Sequence, residues 1–410
     1  MQFIYNFSIR IYYFIIKISS LFNAKAKLFV DGRKNLFSNL GKIDFDNKIA
    51  WFHCASLGEF EQGRPLIEKF KKEYPNYKIL LSFFSPSGYE IRKNYENADY
   101  IIYLPIDTPK NAKRFVNIIK PDIVFFVKYE FWYNFIKEIK KNEIPLYIVS
   151  SIFRENQIFF KWYGKWYRKI LFNISHFFVQ DIESKKLLEK ISIANVTIAG
   201  DTRFDRVYEI VKKAKELPII NNFKNNSLLF IAGSTWKPDE EIITSYINKK
   251  QDNVKYIIAP HEIDEINIKR IENNISNDIT VIRYSKANEE NIDSYKVLII
   301  DNIGLLSSIY KYGDVAYIGG GFGKGIHNVL EAACYGIPIM FGPNYSKFKE
   351  AIELIKKNGA FSICSYNEFE TNLNIFVNSN QKLSKAGEIA ARYVISKKGV
   401  TAKILDSINI

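Results

Sequence analysis

The apolar residues of this chain fall in short, nearly unbroken runs separated by amphipathic stretches, without strict alternation. In the first half the runs are Ile49–Cys54, Ile79–Phe84, Tyr100–Pro105, Ile123–Tyr129, Leu146–Ser151, Phe177–Gln180 and Val196–Gly200. In the second half they are Leu228–Ser234, Tyr256–Pro260, Ile279–Tyr284, Val297–Asp301, Val315–Gly321 and Ile337–Gly342. Such runs predict strands covered on both faces by helices. Strand and helix in alternation predict parallel, doubly wound sheets, so the expected class is α/β. The segment LPIINNFKNNS, residues 217–227, is polar and lacks apolar periodicity, which makes it the expected linker. Two domains of similar size would then face a central cleft, with ligands at the carboxyl ends of the strands.

The first residues break this pattern. FIYNFSIRIYYFIIKISSLF (Phe3–Phe22) is mostly apolar but is interrupted by Arg10 and Lys17. At helical spacing Asn6, Arg10 and Lys17 share one stripe, and Lys25, Lys27, Arg33 and Lys34 follow. Lys17 breaks the apolar core a signal peptide needs, and a clean span wants about 20 uncharged residues. The expectation is a membrane-associated helix over 1–24 with its basic flank on the cytoplasmic side. The alternative is a helix packed on the protein's own core.

Composition adds a bound on partners. With 410 residues, 47% hydrophobic and 25% charged, the chain is globular and long enough for two cores. Lys+Arg 58 against Asp+Glu 44 gives +14, which favours phosphate-bearing partners. The chain is also rich in Ile, Asn, Phe and Tyr, as an AT-rich genome would make it, and it carries no RNA-binding motif, so nucleic acid is not expected. Cys54, Cys334 and Cys364 are odd in number and far apart, which excludes a disulfide framework and a cysteine metal cluster. Cys54 beside His53 could suggest a thiolate pair, but neighbours on a strand point to opposite faces.

Candidate chemistry gathers at the predicted strand ends. Glu59 follows the first strand in WFHCASLGEFEQG, Glu130 follows the fourth in VKYEFWYNF, and Arg203 sits in GDTRFDRV. In the second half, Gly233, Ser234 and Thr235 end the first strand and Pro260 and His261 the second. Ile303, Gly304 and Leu305 follow the fourth, and IGGGFGKGIHNVLEA (Ile318–Ala332) follows the fifth. That last segment fits neither GxGxxG nor the P-loop pattern. Its glycines, Gly320 and Gly321 among them, could still let a phosphate approach the backbone ahead of a helix start. An ordinary strand-to-helix loop is the alternative. Carboxylates in one half and phosphate-binding equipment in the other suit glycosyl transfer, where a base deprotonates an acceptor hydroxyl and a nucleotide leaves. Asp44–Phe45–Asp46 has the letters of a metal-binding DxD but precedes the first strand, and no metal is expected.

ASLGEFEQG, SPSGYE, YLPIDTP, KYEFWYN, AGSTW with DEE, DNIGLLSSIY and GGGFGKGIHNVLEAACYGIPIMFGPNYSKFKEA occur in an order and spacing that resembles the Kdo transferases of lipopolysaccharide assembly, over nearly the whole chain. The resemblance implies a GT-B fold of two Rossmann-like domains and a metal-independent reaction with no cofactor. It implies CMP-Kdo as donor and a lipid A precursor as acceptor, at the cytoplasmic side of the inner membrane. On that pattern the domains are residues 1–24, the anchor; 25–216, the acceptor domain; 217–227, the linker; 228–380, the CMP-sugar domain; and 381–410, a helix returning to the first domain. Glu59 matches the general base, and Glu130 and Arg203 match transition-state stabilisers. Pro260, His261, Ile303, Gly304, Leu305, Asn328, Val329, Leu330 and Glu331 match the CMP contacts, with Gly233, Ser234, Thr235, Gly320 and Gly321 as a donor loop.

Several positions depart from the family pattern. Arg203 stands where lysine is common, His261 where arginine is, Leu305 where an acid is, and Ile326 where a glycine is. From the residues alone, Glu59 could instead favour a helix N-terminus. Asn328 and Glu331, spaced N-x-x-E, could form a variant capping box instead of meeting a ribose. His261 could be a plain loop histidine, and His53 and His176 read as packed or surface residues. Two other functions remain open: a GT-B transferase using a UDP- or GDP-sugar, and a non-enzymatic nucleotide-binding protein at a membrane surface.

Overall fold

The computed structural model describes residues 1–43, 47–250 and 253–408. The chain divides into two compact units, Met1–Arg206 with Gly399–Ile410, and Val207–Lys398. Among the described residues each unit holds one seven-stranded sheet, and every strand pair is parallel.

The first unit contains β1 (Lys48–Cys54), β2 (Tyr77–Phe83), β3 (Tyr100–Tyr103), β4 (Ile123–Val127), β5 (Leu146–Ser151), β6 (His176–Val179) and β7 (Val196–Ile198), in the order 3-2-1-4-5-6-7. Both faces of this sheet are buried. Trp51, Val124 and Ile148 point to one core, and Phe52, Phe125 and Val149 point to the other. Double burial is why the strands are continuous apolar runs. Strand order reverses between β1 and β4, and that is where a doubly wound sheet opens a ligand crevice at its carboxyl edge.

The second unit contains β8 (Leu228–Thr235), β9 (Val254–Pro260), β10 (Val281–Arg283), β11 (Val297–Ile299), β12 (Val315–Ile318), β13 (Ile339–Phe341) and β14 (Ala360–Ser362), in the order 10-11-9-8-12-13-14. Here the order reverses between β8 and β12, so the Ser234 loop and the glycine cluster leave from adjacent strands.

Two expectations need correction. Residues 217–227 are not a linker: Pro218–Lys224 is a helix with Pro at its start and Ile220 and Phe223 fully buried, inside the second unit. The division falls at Arg206/Val207 instead. The returning segment is also shorter than 381–410. The helix Asn380–Ile395 belongs to the second unit, and only Gly399–Ile410 joins the first, where Val400 and Ile404 enter the core and Asp205 accepts the Thr401 amide at 2.6 Å.

The N-terminal helix, Gln2–Ser19, is docked on the first unit and also exposes apolar side chains. Its inner face carries Tyr5, Ile9, Tyr13 and Ile16, and the Asn6 side-chain oxygen accepts from Asn134 Nδ2 at 2.9 Å. Asn6, Lys17 and Arg10 lie within about 40° of one another on this helix, with Asn6 on the docked side of that stripe and Arg10 and Lys17 exposed. The outer face exposes Phe3, Ile4, Phe7, Ile11, Phe14, Ile15 and Ile18. At the α-helical turn these seven fall in one arc of roughly 120°. No helix among the described residues is long and apolar enough to cross a membrane.

Candidate active site

In the first unit the site grows from the loops after β1 and β4, on either side of the reversal of strand order. β1 runs into Ala55–Ser56, and Ser56 caps the helix Leu57–Glu73 with extended backbone. Glu59 stands in the first turn of that helix. The spacing Ser56-x-x-Glu59 matches a capping box, yet the Ser56 side chain makes no cap bond to the backbone. Its hydroxyl donates to Glu59 Oε2, and the Lys128 ammonium lies 4.0 Å from Oε1. The carboxylate is thus held by a hydroxyl and a cation at a strand end.

Lys128 lies in the KYEFWYN motif, where nothing in the sequence pattern gives it a role. Its backbone has φ +68°, a left-handed conformation uncommon for lysine, and its amide donates to the Val149 carbonyl at 2.9 Å. Strain of this kind gathers where the surrounding fold over-determines a loop.

Glu130 is 8% exposed and ends a buried polar chain. Its Oε2 accepts from Trp132 Nε1 at 2.7 Å and faces His53 Nε2 at 3.1 Å. His53 Nδ1 lies 2.9 Å from Ser82 Oγ, which also accepts from Trp51 Nε1 at 2.7 Å. With Nε2 protonated, the ring donates to the carboxylate and can accept from the serine. His53 is therefore a packed residue, as its sequence suggested, but packed with a purpose: it fixes Glu130 from inside. Cys54 points to the other face of the sheet, beside Gly63, and burial pushes its thiol well above the usual range. The thiolate pair is excluded by geometry.

Arg203 opens the helix Arg203–Lys212 and is chelated by Asp201. Its amide donates to Oδ1 at 2.9 Å and its Nε to Oδ2 at 2.8 Å. The adjacent Thr202 donates to the Gln62 carbonyl at 2.5 Å, which ties this loop to the helix carrying Glu59. The guanidinium is positioned, with part of its charge balanced by Asp201.

In the second unit the loops after β8, β9, β11 and β12 converge. The Asp239 carboxylate organises them: buried in the helix Lys237–Lys249, it accepts from Trp236 N and Gly320 N, each at 2.9 Å, and from Tyr317 Oη at 2.7 Å. Burial raises its pKa and these three donors lower it, with burial dominant. The Gly320 amide is therefore occupied, and the expectation that it would meet a phosphate needs correction. Much of the glycine cluster is explained by backbone crowding. A Cβ on Gly319 would lie 2.2 Å from the Ser234 carbonyl oxygen, and one on Gly321 would lie 2.5 Å from the Gly342 nitrogen. The helix after the cluster also starts late and is short, Leu330–Cys334, so its dipole is small.

Gly233 lies under the Tyr310 hydroxyl and beside Leu306, which brings the loop of Ile303, Gly304 and Leu305 to the end of β8. Ile303 is 91% exposed there, and Gly304 has φ +90°. Ser234 takes φ +55°, and Thr235 Oγ1 donates to buried Glu240 at 3.0 Å. Pro260 is the register partner of Thr235, and the His261 amide donates to the Thr235 carbonyl at 2.9 Å. His261 stacks on both Trp236 and His327, with ring centroids 4.7 and 4.4 Å away and interplanar angles of 27° and 25°. Trp236 Nε1 donates to His327 Nε2 at 3.1 Å, and burial, then the neighbouring His261, lowers the His327 pKa. Trp236 and His327 both lie in motifs of the sequence, but nothing there gives either a role. Val329 and Leu330 are buried, so only their backbone can meet a ligand. Asn328 uses its side chain twice: Nδ2 donates to Glu331 Oε1 at 2.9 Å, and Oδ1 accepts from Leu330 N at 3.1 Å. The capping alternative is thus partly realised, through Asn328. Asp44–Phe45–Asp46 lies outside the described residues.

Residues 32–206 match the family described as 3-deoxy-D-manno-octulosonic-acid transferase, or Kdotransferase. The chain is similar to Kdo transferases over most of its length. It is 28% identical over 353 residues to a 3-deoxy-D-manno-octulosonic acid transferase of Aquifex aeolicus, covering 84% of this chain and 91% of that protein. A 3-deoxy-D-manno-octulosonic acid transferase of Haemophilus influenzae is 24% identical, with 87% of this chain and 85% of that one covered. Among solved structures, the fold is similar to a putative UDP-N-acetylglucosamine 2-epimerase from Listeria monocytogenes, with TM-score 0.60, 12% identity, and 88% and 95% of the two chains covered. It is also similar to a Neisseria meningitidis UDP-GlcNAc 2-epimerase, with TM-score 0.59, 14% identity, and coverage of 88% and 98%. That likeness concerns the fold: two parallel α/β units of the GT-B kind.

Proposed function

We propose that the protein is an inverting glycosyltransferase that moves Kdo from CMP-Kdo to a lipid A precursor in lipopolysaccharide synthesis. The observation that carries the reading is Glu59: a carboxylate at the switch point of the first sheet, held by Ser56 and Lys128 and not consumed by helix capping. The similarity to Kdo transferases supports the sugar. In the reaction, Glu59 takes the proton of an acceptor hydroxyl while that oxygen bonds to the anomeric carbon of Kdo. The bond from that carbon to the phosphate oxygen breaks, and CMP leaves with the electron pair. A single displacement inverts the anomeric centre, and the transition state carries oxocarbenium character. Glu130, fixed by His53 and Trp132, and Arg203, fixed by Asp201, supply charges that need no reorganisation as the reaction proceeds.

The second unit would hold CMP. The stacked faces of Trp236, His261 and His327 suit a flat base, because any heteroaromatic base can stack on such a surface. Loop amides near 328–331 suit the phosphate and Glu331 the ribose. In the first unit a cavity of about 670 Å³ is lined by Tyr12, Ile16, Phe22, Lys25, Phe84 and Ser85. It is mostly apolar with one ammonium, which suits an acylated, phosphorylated sugar. Its Ser85 amide donates to the Ala55 carbonyl at 2.7 Å, one residue from the cap of the Glu59 helix. The outward arc of the N-terminal helix, with Leu21 and Phe22 beyond it and Arg10 and Lys17 at its edge, suits a helix lying in the cytoplasmic surface of the inner membrane.

Calorimetric titration with CMP, UDP and GDP tests the donor. The proposal expects CMP to bind at least about ten-fold more tightly than the other two, with Trp236→Ala weakening it. Preference for UDP or GDP would move the assignment to another sugar nucleotide. CMP binding without any turnover would favour a nucleotide-binding protein that is not an enzyme.

A further inference from the structure

The N-terminal helix makes its polar contacts in one place. Tyr5 Oη donates to Asp107 Oδ2 at 2.6 Å and accepts from Tyr133 N at 3.3 Å. Asp107 is fully buried and also accepts from Asn134 N at 3.1 Å and Phe135 N at 3.0 Å. Asn134 Nδ2 reaches the Asn6 side chain at 2.9 Å and the Asp107 carbonyl at 2.8 Å. Residues 133–135 open the helix Tyr133–Lys141, whose first residue follows Glu130 by three. No side-chain cap protects that helix start, so Asp107 and Tyr5 satisfy its free amides from outside. The Tyr5 ring packs on Tyr133, Trp166 and Tyr167, with centroids 5.5 to 6.1 Å apart. A second contact comes from Tyr12, stacked on Phe84, whose ring lies 4.5 Å from that of Trp132, the donor to Glu130. The helix that also presents the apolar arc thus holds Tyr133 and Asn134 directly, through Tyr5 and Asn6, and reaches Trp132 through Phe84.

We infer that Tyr5 and Asp107 are positioning residues: they lock the N-terminal helix onto the Glu130 loop and set the Glu130 carboxylate for transfer. This rests on the Kdo-transfer reading and goes beyond it. The helix has two separable tasks, surface binding by its outer face and loop alignment by Tyr5 and Asn6. A simple anchor would need only the first. Alignment by 1 Å or less is worth large factors in rate, so loss of one lock hydrogen bond should be visible in turnover.

The test is Tyr5→Phe, which keeps the ring packing and removes only the hydroxyl. Full-length protein would be assayed in detergent micelles with CMP-Kdo and a tetraacylated lipid A precursor, where attachment to a bilayer is irrelevant. The expected result is a fall in kcat of about ten-fold, a CMP-Kdo KM within two-fold of wild type, and unchanged co-sedimentation with anionic vesicles. Unchanged kcat with weakened co-sedimentation would overturn the inference and leave the helix an anchor alone. If Tyr5→Phe does not fold, Asn6→Ala, which removes only the Asn134 contact, carries the same test with the same two outcomes. Failure of wild type to transfer Kdo would instead refute the functional reading, so the two failures are distinguishable.

Discussion

Replacing Asp239 with alanine should loosen the nucleotide side of the protein by a calculable amount. Its carboxylate is 1% exposed and accepts three hydrogen bonds of 2.7 to 2.9 Å, from Trp236 N, Gly320 N and Tyr317 Oη. A donor left unsatisfied in a buried site costs about 1–3 kcal/mol. Three such donors make a gross loss of about 5 kcal/mol, from which relief of the buried charge and entry of water subtract about 2 kcal/mol. A net loss of about 3 kcal/mol corresponds to about 6–12 °C in the melting temperature of a unit of this size. Differential scanning calorimetry reads it, and titration with CMP reads the consequence, because Trp236 and the Gly320 turn are both released. Asp239→Asn separates shape from acceptor capacity. Its amide NH2 would face an N–H donor, so it should fall nearly as far as alanine. A melting temperature within about 2 °C of wild type for both variants would refute the claim that this carboxylate organises the loops.

Two further expectations follow from buried titratable groups. Burial, opposed by its bonds to Tyr5, Asn134 and Phe135, raises the Asp107 pKa to about 6. A folded pKa above the unfolded one means this group's contribution is full below about pH 4 and is lost as pH rises through about 6, by about 3 kcal/mol in total. Melting curves of wild type and Asp107→Asn from pH 4.5 to 7.5 should therefore diverge, the non-titrating variant gaining relative to wild type as pH rises; parallel curves would contradict it. For the thiols, Cys54 is buried and pushed well up, burial raises Cys334 to about 11, and Cys364 is exposed. One cysteine should react quickly with a thiol reagent in the native protein and three in denaturant, and fast modification of Cys54 would show that the β1 face is open.

The sheets were legible because double burial writes each strand as an apolar run, and thirteen such runs became β1 to β13. β14, Ala360–Ser362, escaped because AFS offers only two apolar residues before a serine, too short a run to stand out. The false linker arose because Ile219, Ile220 and Phe223 are diluted by asparagines, which masks a short helix that buries only two side chains. The carboxylates were visible as strand-end acids. Their supports were not. His53 lies inside an apolar strand, where a buried partner cannot be told from packing. Lys128 depends on a left-handed backbone that no sequence pattern marked. The glycine cluster misled in one respect: glycines needed for two backbones to touch look the same as glycines needed for a ligand. Gly320 shows the difference, since its amide is already given to Asp239.

The most direct test of the account is mass-spectrometric detection of transfer. Purified protein in detergent, fresh CMP-Kdo and tetraacylated lipid A precursor would be incubated beside Glu59→Gln. The account predicts a mass increment of one or more Kdo with wild type and loss of at least about a thousand-fold in rate with the variant, whose amide cannot accept the acceptor proton. Transfer by Glu59→Gln at a wild-type rate, or no increment from a wild-type protein that still binds CMP, would contradict it.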